Sequence, residues 1–222
     1  MEILARFYGL NQLKCLLMKI NKNTKIFCSF SKNPGNNGCF FFNEMFKKNN
    51  IDAIYKSFYS DDIKKSINAV RTLGISGFAV SMPFKVEILN YVDVIDEITQ
   101  KIGSCNTILN NKGKLMAFNT DWIGINNYFM QSKLPKHILI AGNGGFSKAA
   151  QYTFDKLNIS YDIITRNNWT RLDKDENVIF NATPAEIQNK KNLIDARPNQ
   201  KEGKIIAKYQ AEEQFKLYTK WK

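Results

Sequence analysis

Stretches of strand length alternate with stretches of helical period along most of this chain, and that alternation narrows the fold more than any other feature. "TKIFCSF" reads as a strand and "GCFFFNEMFKKN" as a helix. "AIYKSFY" reads as a second strand and "DDIKKSINAVRTLG" as a capped helix. "SGFAVSM" is a third strand, and "PFKVEILNYV" is expected to form an amphipathic helix with Pro83 in its first turn and Lys85 at its mouth. "DEITQKIG" is a short helix, and "CNTILNNKGKLMAFNTD" is a hairpin turning at "NNKG". Strands alternating with helices predict an α/β fold.

A second unit begins after Asp121. "WIGINNYFMQSK" reads as a connecting helix, and "KHILIAGNGGFSKAAQYTFDKLN" as a strand, a glycine turn and a helix. "SYDIITRN" and "ENVIFNATP" are further strands, and "GKIIAKYQAEEQFKLYTKWK" is one amphipathic helix. With 222 residues, 44% of them apolar, the chain is long enough for one large or two small domains with real cores. It contains no run of eighteen apolar residues, so no membrane span is expected. The opening "MEILARFYGLNQLKCLLMKINKN" lacks the basic start and small-residue cleavage site of a signal peptide.

Composition removes several chemistries. His137 is the only histidine, so a catalytic base must be sought among Lys, Asp, Glu, Tyr and Cys. Cys15, Cys28, Cys39 and Cys105 form no C-x-x-C pair, which argues against a metal site and fits reduced thiols in a cytoplasm. The net charge is +12, but the lysines are dispersed and form no basic block. No nucleic-acid partner is expected; a lysine-rich surface on a protein with anionic ligands accounts for the charge.

Four places could carry chemistry. "AGNGGFSKAA" follows an apolar strand and opens a helix. Gly142, Gly144 and Gly145 would let the backbone approach a phosphate at the helix N-terminus, and they also suit a bare strand-to-helix turn. Arg166 ends the next strand, where an arginine can pair with the 2′-phosphate of NADP or lie free on the surface. The hairpin brings Asn106 near Asp121, and a lysine such as Lys85 with a carboxylate partner can shuttle a proton when an alcohol becomes a carbonyl. Ser29 and Ser31 sit two apart, so in extended chain both hydroxyls point one way, toward a carboxylate or simply into a loop.

Taken together, "SFS", "GFAVSMPFK", "IGSCNTI", "AFNTDWIGI", "AGNGGFSKA", "ITRN", "FNATP" and "YQAEEQFKLYT" resemble shikimate dehydrogenases, and most closely the shikimate dehydrogenase-like subgroup. The resemblance runs in the family's order from about Thr24 onward. It implies an α/β substrate domain over residues 1–122 and a small Rossmann-like NADP-binding domain over 123–204. A helix over 205–222 would return to the substrate domain. It implies reversible hydride transfer between NADPH and 3-dehydroshikimate, giving shikimate in the chorismate and aromatic amino-acid pathway. Lys85 and Asp121 would be the catalytic pair. Ser29 and Ser31 would hold the substrate carboxylate, while Ser81 (usually threonine in the family), Asn106 and Gln210 would hold ring hydroxyls. Gly142, Asn143, Gly144, Gly145, Arg166 and Thr183 would bind NADP, with NAD as the alternative. The partners would be small molecules, in a monomer or homodimer.

Departures from the family pattern fall mainly in the second half. Residues 1–23 have no counterpart. Only "NWTRLDKDE" stands where the family carries a whole helix. The glycine after Pro184 and a tyrosine beyond Asp195 are missing. A trimmed cofactor domain is expected, with one face of its sheet uncovered and its cofactor held weakly. The competing expectation is a protein that binds a shikimate- or quinate-type ligand with little or no turnover.

Overall fold

The computed structural model describes residues 20–131, 133–174, 177–188 and 190–220. The segment 1–19, part of the stretch without counterpart, lies outside the described residues. The fold is α/β, with two sheets and connecting helices.

The first sheet is built from β1 (Lys25–Ser31), β2 (Ala53–Tyr59), β3 (Gly77–Val80), β4 (Val94–Ile95), β5 (Thr107–Asn111) and β6 (Lys114–Phe118), in the order β2-β1-β3-β5-β6-β4. β1 pairs in parallel with both β2 and β3, and its faces meet two cores, Phe27 in one and Cys28 and Phe30 in the other, so "FCSF" can be almost continuously apolar. The crossover helices are α1 (Asn37–Lys48) and α2 (Ile63–Leu73). In α2 the Asp62 carboxylate accepts the Lys65 N–H, Gly74 ends the helix at φ 64°, and Ile63, Ile67 and Val70 face the core. The β5–β6 hairpin turns through Lys112 (φ 52°) and Gly113 (φ 91°), the doubly left-handed turn whose twist matches a hairpin.

"PFKVEILNYV" does not form the expected helix. A turn over Ser81–Phe84, with a cis Met82–Pro83 bond, leads only to a single 3-10 turn over Glu87–Asn90. The reason lies in one carbonyl. Helix propagation needs the Lys85 C=O to accept from Leu89. Instead it accepts the Cys105 N–H at 2.8 Å, and the Leu89 N–H turns to Val86. Phe84 and Ile88 are buried one helical turn apart, which satisfies the apolar period without a second turn.

The second sheet contains β7 (His137–Ala141), β8 (Ser160–Ile164), β9 (Val178–Asn181) and β10 (Leu193–Asp195), all parallel, in the order β10-β9-β7-β8. α5 (Gly145–Lys156) covers one face through Ala149, Ala150 and Phe154. The expected bare face is not bare. α6 (Arg171–Lys174) is one turn long, yet Leu172, Trp169 and Ile187 cover Leu139, Ala141 and Ile179, each at most 1% exposed. Three large side chains do the work of a helix on a sheet only four strands wide.

α3 (Glu97–Ile102) closes the first unit, and two longer helices tie the sheets together. α4 (Asp121–Phe129) packs against α7 (Lys201–Lys220), and a Cβ at Gly124 would lie 2.6 Å from the Ile206 carbonyl. Both expected domain boundaries, 122/123 and 204/205, fall inside these helices. α7 begins on the second core through Ile206 and ends in the first through Phe215 and Tyr218. Among the described residues no helix is long and apolar enough to cross a membrane.

Candidate active site

Lys85 Nζ stands 2.6 Å from Asp121 Oδ2, with the two side chains only 16% and 5% exposed. Asp121 is the first residue of α4, where the helix dipole favours a carboxylate. Its second oxygen accepts from Asn106 Nδ2 at 3.0 Å. Asn106 is in turn a hub: its Nδ2 donates to Thr120 Oγ1, while its Oδ1 accepts the Thr120 N–H and the Thr107 hydroxyl. A buried carboxylate with both oxygens engaged holds its lysine in one place. On its other side, Lys85 Nζ lies 5.2 Å from the Phe146 ring centroid. Neighbouring Cys105 is no rival nucleophile, because burial raises its thiol pKa far above the ordinary range.

The pair stands where two clefts meet. The first, about 710 Å³, runs between the C-terminal ends of β1–β3 and α7. Ser29 and Ser31 both line it, as their spacing predicts. Ser29 donates to Ser57 Oγ at 3.1 Å, and Ser31 Oγ accepts the Asn33 N–H. On the opposite wall Gln210 Nε2 donates to Thr120 Oγ1 at 3.2 Å and to Gln214, whose amide reaches the Tyr218 hydroxyl.

The second cleft, about 510 Å³, is lined by Gly144, Gly145, Phe146, Thr183 and Arg197 among others, and shares Ser81, Lys85, Asp121 and Gln210 with the first. A strand, a glycine turn and the N-terminus of α5 supply free N–H groups here. A side chain at Gly144 would meet nothing within 4 Å, so the backbone is open to close approach by a phosphate. Gly142 adopts φ 105°, and a Cβ there would collide with Thr183. Gly145 is required for another reason: its Cβ would lie 2.6 Å from that of Lys85. These residues fit a dinucleotide. Gly142, Asn143 and Arg166 do not line the cleft; Arg166 is exposed at the C-terminal end of β8, beside β7.

Sequence reasoning missed several residues at this place. Ser57 is paired with Ser29 by the parallel register, which no local pattern reveals. Gln214 and Tyr218 continue Gln210 at intervals of four, a readable signal on a long helix. Arg197 is held by the Asp195 carboxylate through Nε and Nη2 and enters the second cleft from β10.

The substrate-binding domain model of shikimate dehydrogenases matches residues 38–108. A shikimate dehydrogenase-like protein of Haemophilus influenzae is 42% identical over 137 residues, covering 61% of this chain and 51% of that protein. The NADP(+) shikimate dehydrogenase of Pyrococcus furiosus is 41% identical over 118 residues, covering 52% and 44%. In these matches the chain spans about half the length of the curated relatives. A solved structure of a shikimate 5-dehydrogenase-like protein superposes with a TM-score of 0.74 at 29% identity, covering 91% of this chain and 94% of that one. Over residues 38–108 the chain is similar to the substrate-binding domain of shikimate dehydrogenases, and over most of its length it shares the fold of a shikimate 5-dehydrogenase-like protein. The shared fold is α/β with two sheets, the second of them Rossmann-like. Lys85 and Asn106 fall inside the family-model match; Ser29, Ser31, Asp121 and the glycine turn lie outside it and stand on geometry.

Proposed function

We propose that this chain is an NADP-dependent oxidoreductase interconverting 3-dehydroshikimate and shikimate. The observation that carries the reading is the Lys85–Asp121 pair at the junction of the two clefts, where a substrate in one meets a cofactor in the other. Ser29 and Ser31, with Ser57 behind them, hold the substrate carboxylate. Ser81, Asn106 and Gln210 hold ring hydroxyls. In carbonyl reduction the Lys85 ammonium donates a proton to the carbonyl oxygen. In alcohol oxidation the neutral amine takes the hydroxyl proton. Asp121 orients the amine and stabilises its charged form. The nicotinamide cofactor, when bound, supplies or accepts the hydride.

On the cofactor side, Gly144 and the α5 N-terminus receive the pyrophosphate, while Gly142 and Thr183 shape the turn. Asn143 and Arg166 stand outside the cleft, and Arg166 reaches the 2′-phosphate from the end of β8. We read residues 1–122 as the substrate unit, 123–204 as the cofactor unit and 205–222 as the returning segment, acting as a monomer or homodimer. The free thiols of Cys28, Cys39 and Cys105 support a reducing cytoplasmic setting. Steady-state reduction of NADP with shikimate tests the activity. Turnover lost in Lys85→Ala supports the reading; binding of shikimate and NADP without turnover in the wild type overturns it.

A further inference from the structure

Building on that reading, we propose that the α7 wall of the substrate cleft is an anion site formed by Lys204 and Lys208, so that the cleft accepts a cyclic hydroxy acid bearing a second anionic group. Three lysines and one aspartate line this cleft: Lys85, Lys204, Lys208 and Asp121. Lys85 is neutralised by Asp121. The remaining two lysines leave the cleft with net positive charge. Lys208 lies 3.9 Å from Glu212, a long, exposed pair that contributes little. Among the described residues no carboxylate pairs with Lys204.

Position follows from the helix. Lys204, Lys208 and Gln210 lie on the α7 surface that faces the cleft. At about 1.5 Å per residue, Lys204 is roughly 9 Å and Lys208 roughly 3 Å along the axis from Gln210, and the two lysines, about one turn apart, share one side of α7. The cleft's volume of about 710 Å³ suits a ligand of drug size, in the ~300–1,000 Å³ range, and one six-membered ring leaves part of it open. Asn33 and Asn37 line the same cleft on the Ser31 side. Two ammonium groups one turn apart on the α7 wall, opposite Ser29 and Ser31, recognise a phosphate ester or second carboxylate on the substrate.

The test uses calorimetry with shikimate and with its 4- and 5-monophosphate esters, which leave free the hydroxyl that Lys85 serves. At least one ester should bind about tenfold more tightly than shikimate, the size of two partly exposed ion pairs. The preference should shrink with added salt and disappear in Lys204→Gln/Lys208→Gln. Equal binding of all three ligands overturns the anion site, as does a preference that survives the double substitution. Lysine-dependent binding of an ester without binding of shikimate upholds the anion site and overturns the shikimate reading. Binding of none overturns both.

Discussion

Gly145→Ala probes how the cofactor turn and Lys85 depend on each other. An alanine Cβ would lie 2.6 Å from Lys85 Cβ and 3.3 Å from Ser104 Cβ. Carbon atoms rest at about 3.5–4.0 Å, so the first contact must open by roughly 1 Å. Retreat past Ser104 is resisted: its hydroxyl donates to the Gly145 carbonyl at 2.7 Å, and Asn119 holds Ser104 by both its carbonyl and its hydroxyl. The Lys85 backbone is tied to Cys105. The shift therefore falls on the Lys85 side chain or on the turn itself. A reacting group misplaced by about 1 Å costs on the order of 10²-fold in rate. We expect kcat for shikimate oxidation to fall about 10²-fold, with a destabilisation of about 1–3 kcal/mol from overpacking. Shikimate affinity should hold, because Ser29 and Ser31 lie in the other unit. Steady-state kinetics, calorimetry and chemical denaturation read these quantities separately. A folded variant with kcat within about threefold of wild type would refute the argument. Gly144→Ala is the companion measurement: it meets no atom within 4 Å, so it should weaken NADP binding and spare the fold.

Four further outcomes are expected. Lys85→Ala should lower kcat by ~10²–10⁴-fold, and adding Asp121→Asn should cost far less than the product of the single effects, since the two act as a unit; additive losses in double-mutant kinetics would separate them. Arg166→Ala should weaken NADP binding and leave NAD unchanged by calorimetry; equal losses would give Arg166 a structural role. Leu172→Ala should destabilise the protein by about 2–5 kcal/mol in urea, because Leu172 is 1% exposed and covers a sheet face with only Trp169 and Ile187 beside it; a loss under about 1 kcal/mol would show the face to be covered otherwise. The Asp93 carboxyl sits below its ordinary pKa because it accepts the Leu115 N–H and pairs with Arg71. Its contribution is therefore full above about pH 4–5 and is lost as pH falls through the folded-state value. Asp93→Asn should melt lower than wild type at pH 7, with the gap closing below about pH 4; a constant gap would assign the effect to packing.

Alternation of strand and helix was legible in the sequence because each of those elements satisfies its own period: the α2 stripe of Ile63, Ile67 and Val70, or the Lys112–Gly113 turn. "PFKVEILNYV" was not, because its fate rests on the Cys105 N–H, twenty residues away, taking the Lys85 carbonyl. The covered sheet face was missed for a related reason. A periodic pattern announces a helix, whereas Trp169, Leu172 and Ile187 are single apolar residues in polar segments, and only their convergence shows their use. At the site, resemblance located Lys85, Asp121 and Asn106, and the geometry brings these three together. It could not locate Ser57, which enters by strand register, nor the reason for Gly145, which lies in a contact across the two units.

The last helix has a consequence for how the molecule comes into being. Gln210 follows Thr120, the hydroxyl it bonds, by 90 residues. At the ~5–20 residues per second of a ribosome, Thr120 waits roughly 5–20 seconds for its partner. Phe27 and Phe46 wait longer for the Tyr218 and Phe215 rings that cover them at 4.5 and 5.7 Å. Throughout that interval the growing chain carries a sheet with an uncovered aromatic face and a half-walled cleft. The nascent molecule is therefore at its stickiest just before α7 emerges, and losing α7 would leave that aromatic surface exposed for the life of the protein.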